Sequence, residues 1–84
     1  MWYVYFLQSK KSSTIYVGYT NDIKRRFAGH NNGKNISTKL NRPWQLKSLI
    51  IIPTIHQAKK LEKYFKTGSG KAILKKRILG DEAS

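Results

Sequence analysis

The chain opens with Trp2-Tyr-Val-Tyr-Phe-Leu7, a dense run of aromatic and β-branched residues, and the same character returns in Ile15-Tyr-Val-Gly-Tyr19 after the polar stretch Ser9 to Thr14. Such residues suit a pleated, packed surface, so the two runs predict a β-hairpin over residues 2–8 and 15–19. Alternation puts Tyr3, Tyr5 and Leu7 on one face and Trp2, Val4 and Phe6 on the other. In the second strand Tyr16 and Gly18 oppose Ile15, Val17 and Tyr19, so tyrosines gather on one face of the sheet.

The period then changes. Ile23 and Phe27 stand four apart behind Asn21 and Asp22, which predicts a helix over 21–31 with Asn21 as N-cap and Asp22 as an acid in its first turn. Residues 32–43 hold Gly33, Pro43, several Asn and three basic residues without a period, and read as a surface loop of a length that is often functional. Gln45 to Ile52 reads as a third strand stopped by Pro53. Thr54-x-x-Gln57 forms a capping box before Ile55, Ala58, Leu61 and Phe65 at helical spacing, predicting a helix over 54–67. Gly68-Ser69-Gly70 is expected to end it and to start another over 70–79, leaving 80–84 as a frayed tail. The expectation is one α+β domain over 1–79: a small, largely antiparallel three-stranded sheet flanked by about three helices.

Composition sharpens this picture. Among 84 residues there are 17 Lys or Arg and 4 Asp or Glu, a formal net charge of +13. On a domain of ~13 Å radius this charge repels itself, and a polyanionic partner, nucleic acid above all, accounts for it. With 39% hydrophobic residues the charge decorates a core rather than a disordered tail. No Cys is present, which excludes disulfides, thiolate metal sites and Cys nucleophiles. The apolar start is too short for a signal-peptide core and the run Leu49 to Ile52 too short for a membrane span, so a cytoplasmic protein with no membrane partner is expected.

The acids are few enough to weigh singly. Asp22 has a helix-end role, Asp81 and Glu82 lie in the tail, and Glu62 alone projects within the apolar stripe of its helix while Lys59, Lys60, Lys63 and Lys66 fall elsewhere. An ion pair with Lys66 one turn later accounts for Glu62 equally well. Arg26 and His30 stack one turn apart beside the Ile23/Phe27 stripe, and Arg25 points to solvent. Snorkelling of Arg26 and an ordinary edge role for His30 are the commoner explanations. Gly18 weakens a strand unless something approaches its backbone closely, and Tyr16 precedes it on the same face, where a core role is common. Gly70-Lys71 is not a nucleotide-binding loop, because Ala72 replaces the required hydroxyl and Phe65 the first Gly; no nucleotide cofactor is expected.

Tyr3-Val4-Tyr5, Tyr16-Val17-Gly18 about ten residues later, Arg26 and His30 on the next helix, and Glu62 on a later one together resemble the GIY-YIG endonuclease family across almost the whole chain. More narrowly, Arg26-Phe27, His30-Asn31-x-Gly33, Arg42-Pro43-Trp44, Leu61-Glu62 and Lys66-Thr67-Gly68-Ser69-Gly70 are similar to small stand-alone bacterial members related to the excinuclease nuclease domain. Two departures stand out: Tyr3 replaces the first Gly of the family name, and no Asn follows Asn41 where many members carry one on a late helix.

The resemblance implies an endonuclease that hydrolyses phosphodiester bonds, with DNA as the expected substrate. It implies Tyr5 and Tyr16 as active-site tyrosines, Arg26 as the essential arginine, His30 as the second helical position and Glu62 as the ligand of one Mg²⁺ or Mn²⁺. In that role Tyr16 orients or deprotonates the attacking water, although a phenol of pKa ~10 needs a nearby metal or cations to act as a base. Arg26 stabilises phosphoryl charge, Tyr5 hydrogen-bonds within the site, and His30 is an alternate base or proton relay. Expected nucleic-acid contacts are Gly18, Lys24, Arg25, Lys34, Lys39, Arg42, Ser69 and Lys71, with Ser69 offering donors at a helix start. A chain this short leaves targeting to the substrate's shape or to a partner protein. The alternatives are a noncatalytic DNA- or RNA-binding module in which tyrosines or Trp44 stack on bases, and an RNA-associated structural protein.

Overall fold

The computed structural model describes the backbone of residues 1–78 and the side chains of residues 1–76; Leu79 and the expected tail lie outside this range. The elements are β1 (Trp2–Ser9), β2 (Ile15–Thr20), α1 (Ile23–Asn31), a short 3-10 turn (Lys39–Asn41), β3 (Trp44–Ile52), α2 (Ile55–Tyr64), α3 (Gly68–Ile73) and a π turn (Leu74–Ile78). The sheet order is β2-β1-β3, antiparallel throughout, with a register shift against β3 between Phe6 and Leu7. The expected α+β architecture is the one present.

Because β1 is central and both faces of the sheet are covered, Val4 to Leu7 are buried in succession rather than alternately. One face packs Val4, Phe6, Val17 and Ile52 against Ala58, Phe65 and Leu74 of the C-terminal helices, with the Phe6 and Phe65 rings edge to face at 5.1 Å. The other packs Tyr5, Leu7 and Trp44 beneath Ile23 and Phe27 of α1, with Tyr16 alongside. The two faces of β1 inferred from alternation are therefore two separate cores.

Helix ends differ from expectation in ways their hydrogen bonds explain. Asp22, not Asn21, is the N-cap of α1: its carboxylate accepts from the Arg25 amide at 3.2 Å, and its own amide donates to Thr20 Oγ1 at 3.0 Å. This frees Asn21 to line a cleft. Thr54 caps α2 as expected, accepting from the Gln57 amide at 3.3 Å, although the Gln57 side chain meets the Thr54 hydroxyl instead of closing a full box. The α2 helix stops at Tyr64, and Gly68-Ser69-Gly70 forms the first turn of α3 rather than a break between helices. Thr67 makes the junction: its hydroxyl donates to the Tyr64 carbonyl at 2.7 Å and accepts from the Gly70 amide at 3.1 Å.

That junction needs a residue without a side chain. A Cβ on Gly70 would lie 2.7 Å from the Phe65 Cα and closer still to the Tyr64 carbonyl oxygen, whereas one on Gly29 in α1 would touch nothing within 4 Å. Gly70→Ala is expected to destabilise by ~1–3 kcal/mol, as overpacking does, and Gly29→Ala to stabilise by up to ~1 kcal/mol through helix propensity. Thermal unfolding checks both, with ~4–8 °C of Tm shift per kcal/mol in a domain of this size.

Candidate active site

The site grows from the β1/β2 pairing. Tyr5 lies opposite Gly18 in the register, and its ring crosses the glycine backbone so closely that a Cβ there would stand 2.6 Å from Tyr5 Cζ. The strand glycine singled out for close approach is thus occupied by a neighbouring phenol. Tyr16 stands beside it, its ring 6.3 Å from that of Tyr5 and 4.9 Å from the His30 imidazole.

Behind Tyr5 runs a buried polar column. The Tyr5 hydroxyl lies 2.8 Å from His30 Nε2, and His30 Nδ1 lies 2.8 Å from Thr38 Oγ1; all three residues are fully buried. The Thr38 hydroxyl also donates to the Asn35 carbonyl at 3.4 Å, which leaves its lone pairs for a proton on His30 Nδ1. His30 is then the Nδ1–H tautomer, and Nε2 accepts from Tyr5. Burial, with the Arg26 charge adding to it, pushes the His30 pKa below its ordinary 6.5. Burial and the adjacent Tyr16 push the Tyr5 phenol upward, against the pull of Arg26, so Tyr5 stays a neutral donor.

Three further bonds tie the loop and the start of β3 to this region. Trp44 Nε1 donates to the Thr38 carbonyl at 2.9 Å, and Asn31 clamps the start of β3 by accepting from the Trp44 amide at 2.6 Å and donating to its carbonyl at 3.1 Å.

In front of Tyr5 is a cleft of about 320 Å³ whose walls include Tyr5, Tyr16, Gly18, Arg26 and Glu62, together with Trp2, Tyr19, Thr20 and Asn21. Four of the five expected catalytic residues therefore share one cleft, and His30 supports Tyr5 from the interior. The Glu62 side chain is 17% exposed and ion-paired with Lys66, whose ammonium also stands 5.8 Å from the centroid of the Tyr16 ring. Both readings of Glu62 hold together: it is largely buried, in keeping with its place in the apolar stripe, and it pairs with Lys66.

Basic clefts adjoin on either side. One, of about 560 Å³, shares Thr20, Asn21 and Arg26 with the central cleft and adds Arg25 and Lys34. Another, of about 570 Å³, shares Tyr16 and adds Lys66, Lys71 and Lys75. Lys39 and Arg42 line a separate cleft with Lys11. Lys24 and Ser69 are exposed and line none of these clefts. Sequence reasoning missed Thr38, which sits in an aperiodic loop and acquires its partner only through the tertiary fold. It also missed Trp2, Tyr19, Thr20 and Asn21, for which the aromatic density of the hairpin was the available signal.

The family model of the GIY-YIG catalytic domain matches residues 1–77. The chain belongs to the GIY-YIG family. Its relatives include a UPF0213 protein of Staphylococcus saprophyticus, 39% identical over 74 residues that make up 87% of this chain and 89% of that one. Another is the UPF0213 protein YazA of Bacillus subtilis, 36% identical over 63 residues, 74% of this chain and 64% of that one. The solution NMR structure of a UPF0213 protein from Bacillus halodurans matches with a TM-score of 0.59 at 31% identity, over 96% of this chain and 89% of that one. These are small stand-alone bacterial members of the GIY-YIG family, whose domains are generally those of nucleases. No helix among the described residues is long and apolar enough to cross a membrane.

The buried neutral imidazole gives a pH dependence with a defined sign. Between the lowered folded pKa of His30 and 6.5, the unfolded chain holds a proton that the folded chain does not. Stability from this residue is therefore full above about 6.5 and declines as pH falls through that window, by at most ~1.4 kcal/mol per pH unit. Urea unfolding at pH 7 and pH 5 is expected to show this loss. His30→Gln begins ~1–3 kcal/mol less stable and loses less over the same range.

Proposed function

We propose that the protein is a metal-dependent endonuclease that hydrolyses phosphodiester bonds in DNA. The observation that carries this reading is the meeting, in one cleft, of Tyr16, Arg26 and the carboxylate Glu62, with basic clefts on both sides. A binding module has use for the basic flanks but not for a half-buried carboxylate at their junction.

The donor set suits a single hard cation. Among the described residues no group of three His, Asp or Glu could hold a metal, but Glu62 shares with Tyr5, Tyr16 and Tyr19 an open cleft in which Mg²⁺ or Mn²⁺ would keep several of its waters. Such an ion, when bound, neutralises charge on the phosphoryl oxygens and favours deprotonation of water. Glu62 would hold it; no ligands for a second ion are gathered there.

The chain's own residues do the rest. Arg26 binds the phosphoryl oxygens, where its planar fork meets charge that grows as the P–O bond to water forms and the ester P–O bond breaks. Tyr16 orients the attacking water, whose proton passes to solvent as its P–O bond forms, and the leaving ester oxygen takes a proton from solvent. His30 is a positioning residue in this scheme, since both ring nitrogens are engaged and it is fully buried. Tyr5, held neutral by its burial and oriented by its hydrogen bond to His30, shapes the cleft floor beside Arg26.

A noncatalytic nucleic-acid-binding reading draws on one observation, the Glu62–Lys66 ion pair, which gives the carboxylate a structural use. A panel of single-stranded, duplex, branched and RNA substrates with Mg²⁺ or Mn²⁺ separates the two. Nicking that Glu62→Gln abolishes while binding persists, and that Arg26→Ala lowers by ~100-fold or more, supports the nuclease; no nicking of any substrate supports the module. Because Lys66 competes for Glu62 and an exposed pair is worth at most ~1 kcal/mol, Lys66→Ala is expected to lower the metal concentration for half-maximal nicking by up to ~5-fold.

A further inference from the structure

The loop between α1 and β3 inverts the usual assignment of polar and apolar residues. Its polar groups do the holding: Thr38 is buried against His30, Ser37 donates its amide to Asn35 Oδ1 at 2.9 Å, and Arg42 Nε donates to the Lys39 carbonyl at 2.9 Å. Its two aliphatic side chains do none. Ile36 is 91% exposed and Leu40 81% exposed, and neither joins either hydrophobic core. Neither side chain adds to a core, and together they leave two large aliphatic groups facing water within five residues of one loop.

Their surroundings specify the partner. Residues 32–43 contain Lys34, Lys39 and Arg42 and no acid. Lys34 lines the cleft that shares Arg26 with the candidate active site, and Lys39 and Arg42 line a second cleft with Leu40. Exposed aliphatic groups interspersed with cations along one loop suit the chemistry of a duplex, where an apolar base stack lies between two rows of phosphates. Aliphatic wedges of this kind part a base step and bend the helix. An apolar protein surface would match the tips but leave the three cations without counterparts.

We infer that the 32–43 loop is a nucleic-acid wedge, in which Ile36 and Leu40 enter a base step or a weakened junction while Lys34, Lys39 and Arg42 grip the flanking phosphates. The column Tyr5–His30–Thr38 ties this loop to the cleft in which Tyr16, Arg26 and Glu62 meet, so the distance between the distorted step and the cleaved phosphate is set by the protein. Substrates already unstacked, such as mismatches, branches or flaps, are then preferred because less stacking is lost on binding. This inference rests on the proposed nucleic-acid function but not on catalysis.

The test uses the wild-type chain in EDTA, where binding proceeds without cleavage, and duplexes carrying 2-aminopurine at a central step, either fully paired or beside a mismatch. The wedge predicts a rise in 2-aminopurine fluorescence of about twofold or more on binding, and affinity for the mismatched duplex at least ~5-fold above the paired one. Ile36→Ser/Leu40→Ser is expected to abolish both while anisotropy still detects binding. Lys34→Ala/Lys39→Ala is expected to weaken binding and reduce its salt dependence, yet keep the fluorescence rise at saturation. Single Ile36→Ser and Leu40→Ser variants, with melting curves matching wild type, guard against misfolding. Binding without a fluorescence rise, or a rise and preference that survive in the double serine variant, overturns the wedge while leaving the nucleic-acid reading intact. Absence of binding to any duplex overturns both. Loss of a protein contact in the double variant, with unstacking unchanged, assigns the tips to a protein surface and also overturns the wedge.

Discussion

The hydrogen bond from the Tyr5 hydroxyl to His30 joins the three parts of the molecule that carry its chemistry. Tyr5 belongs to the central strand, His30 to the last turn of α1, and Thr38, the next link, to the loop that leads into β3. Such a column is tolerated in a core only when each member is satisfied, and among the described residues no buried side-chain polar atom lacks a partner. Neutrality is part of the same constraint. A protonated imidazole would turn a second N–H against the Tyr5 hydroxyl proton and would carry its charge into the interior beside Arg26, so burial and that guanidinium together hold it uncharged.

This neutral column separates shape from charge. The aromatic residues fix the floor of the cleft, and the charged ones sit on its rim, where they can be exchanged for substrate. Glu62 is the clearest case: its ion pair with Lys66 occupies the carboxylate in the free protein, and Lys66 also leans over Tyr16. In the proposed nuclease, a phosphodiester with its cation would take over both partners, the anion meeting Lys66 and the cation meeting Glu62. The +13 charge is thus not spread evenly: cations line the clefts that adjoin the central one, and Asp22 and Glu62 are the two acids among their walls.

The strands, the two faces of β1 and the clustering of tyrosines followed directly from alternation, and their bounds differ from the structure by a single residue. Arg26, Glu62 and Gly18 were each distinguishable as residues at odds with their local setting: a cation and a carboxylate beside apolar stripes, and a glycine in a strong strand. What local pattern could not supply was anything set by distant contact. Thr38 has no periodic context, and its value lies in a ring eight residues earlier that packs on a strand. The shift of the α1 cap from Asn21 to Asp22 and the inclusion of Gly68 to Gly70 in α3 have a different origin, the short-range bonds of the Thr20 and Thr67 hydroxyls, which residue type and period do not distinguish from the competing caps.

Nitrogen-15 NMR of the His30 ring tests the central claim, that one neutral, directed column organises the site. The account predicts a protonated Nδ1, an unprotonated Nε2 accepting from Tyr5, and a titration midpoint below 6.5. An Nε2–H ring, or an imidazole that titrates at or above 6.5, would contradict it.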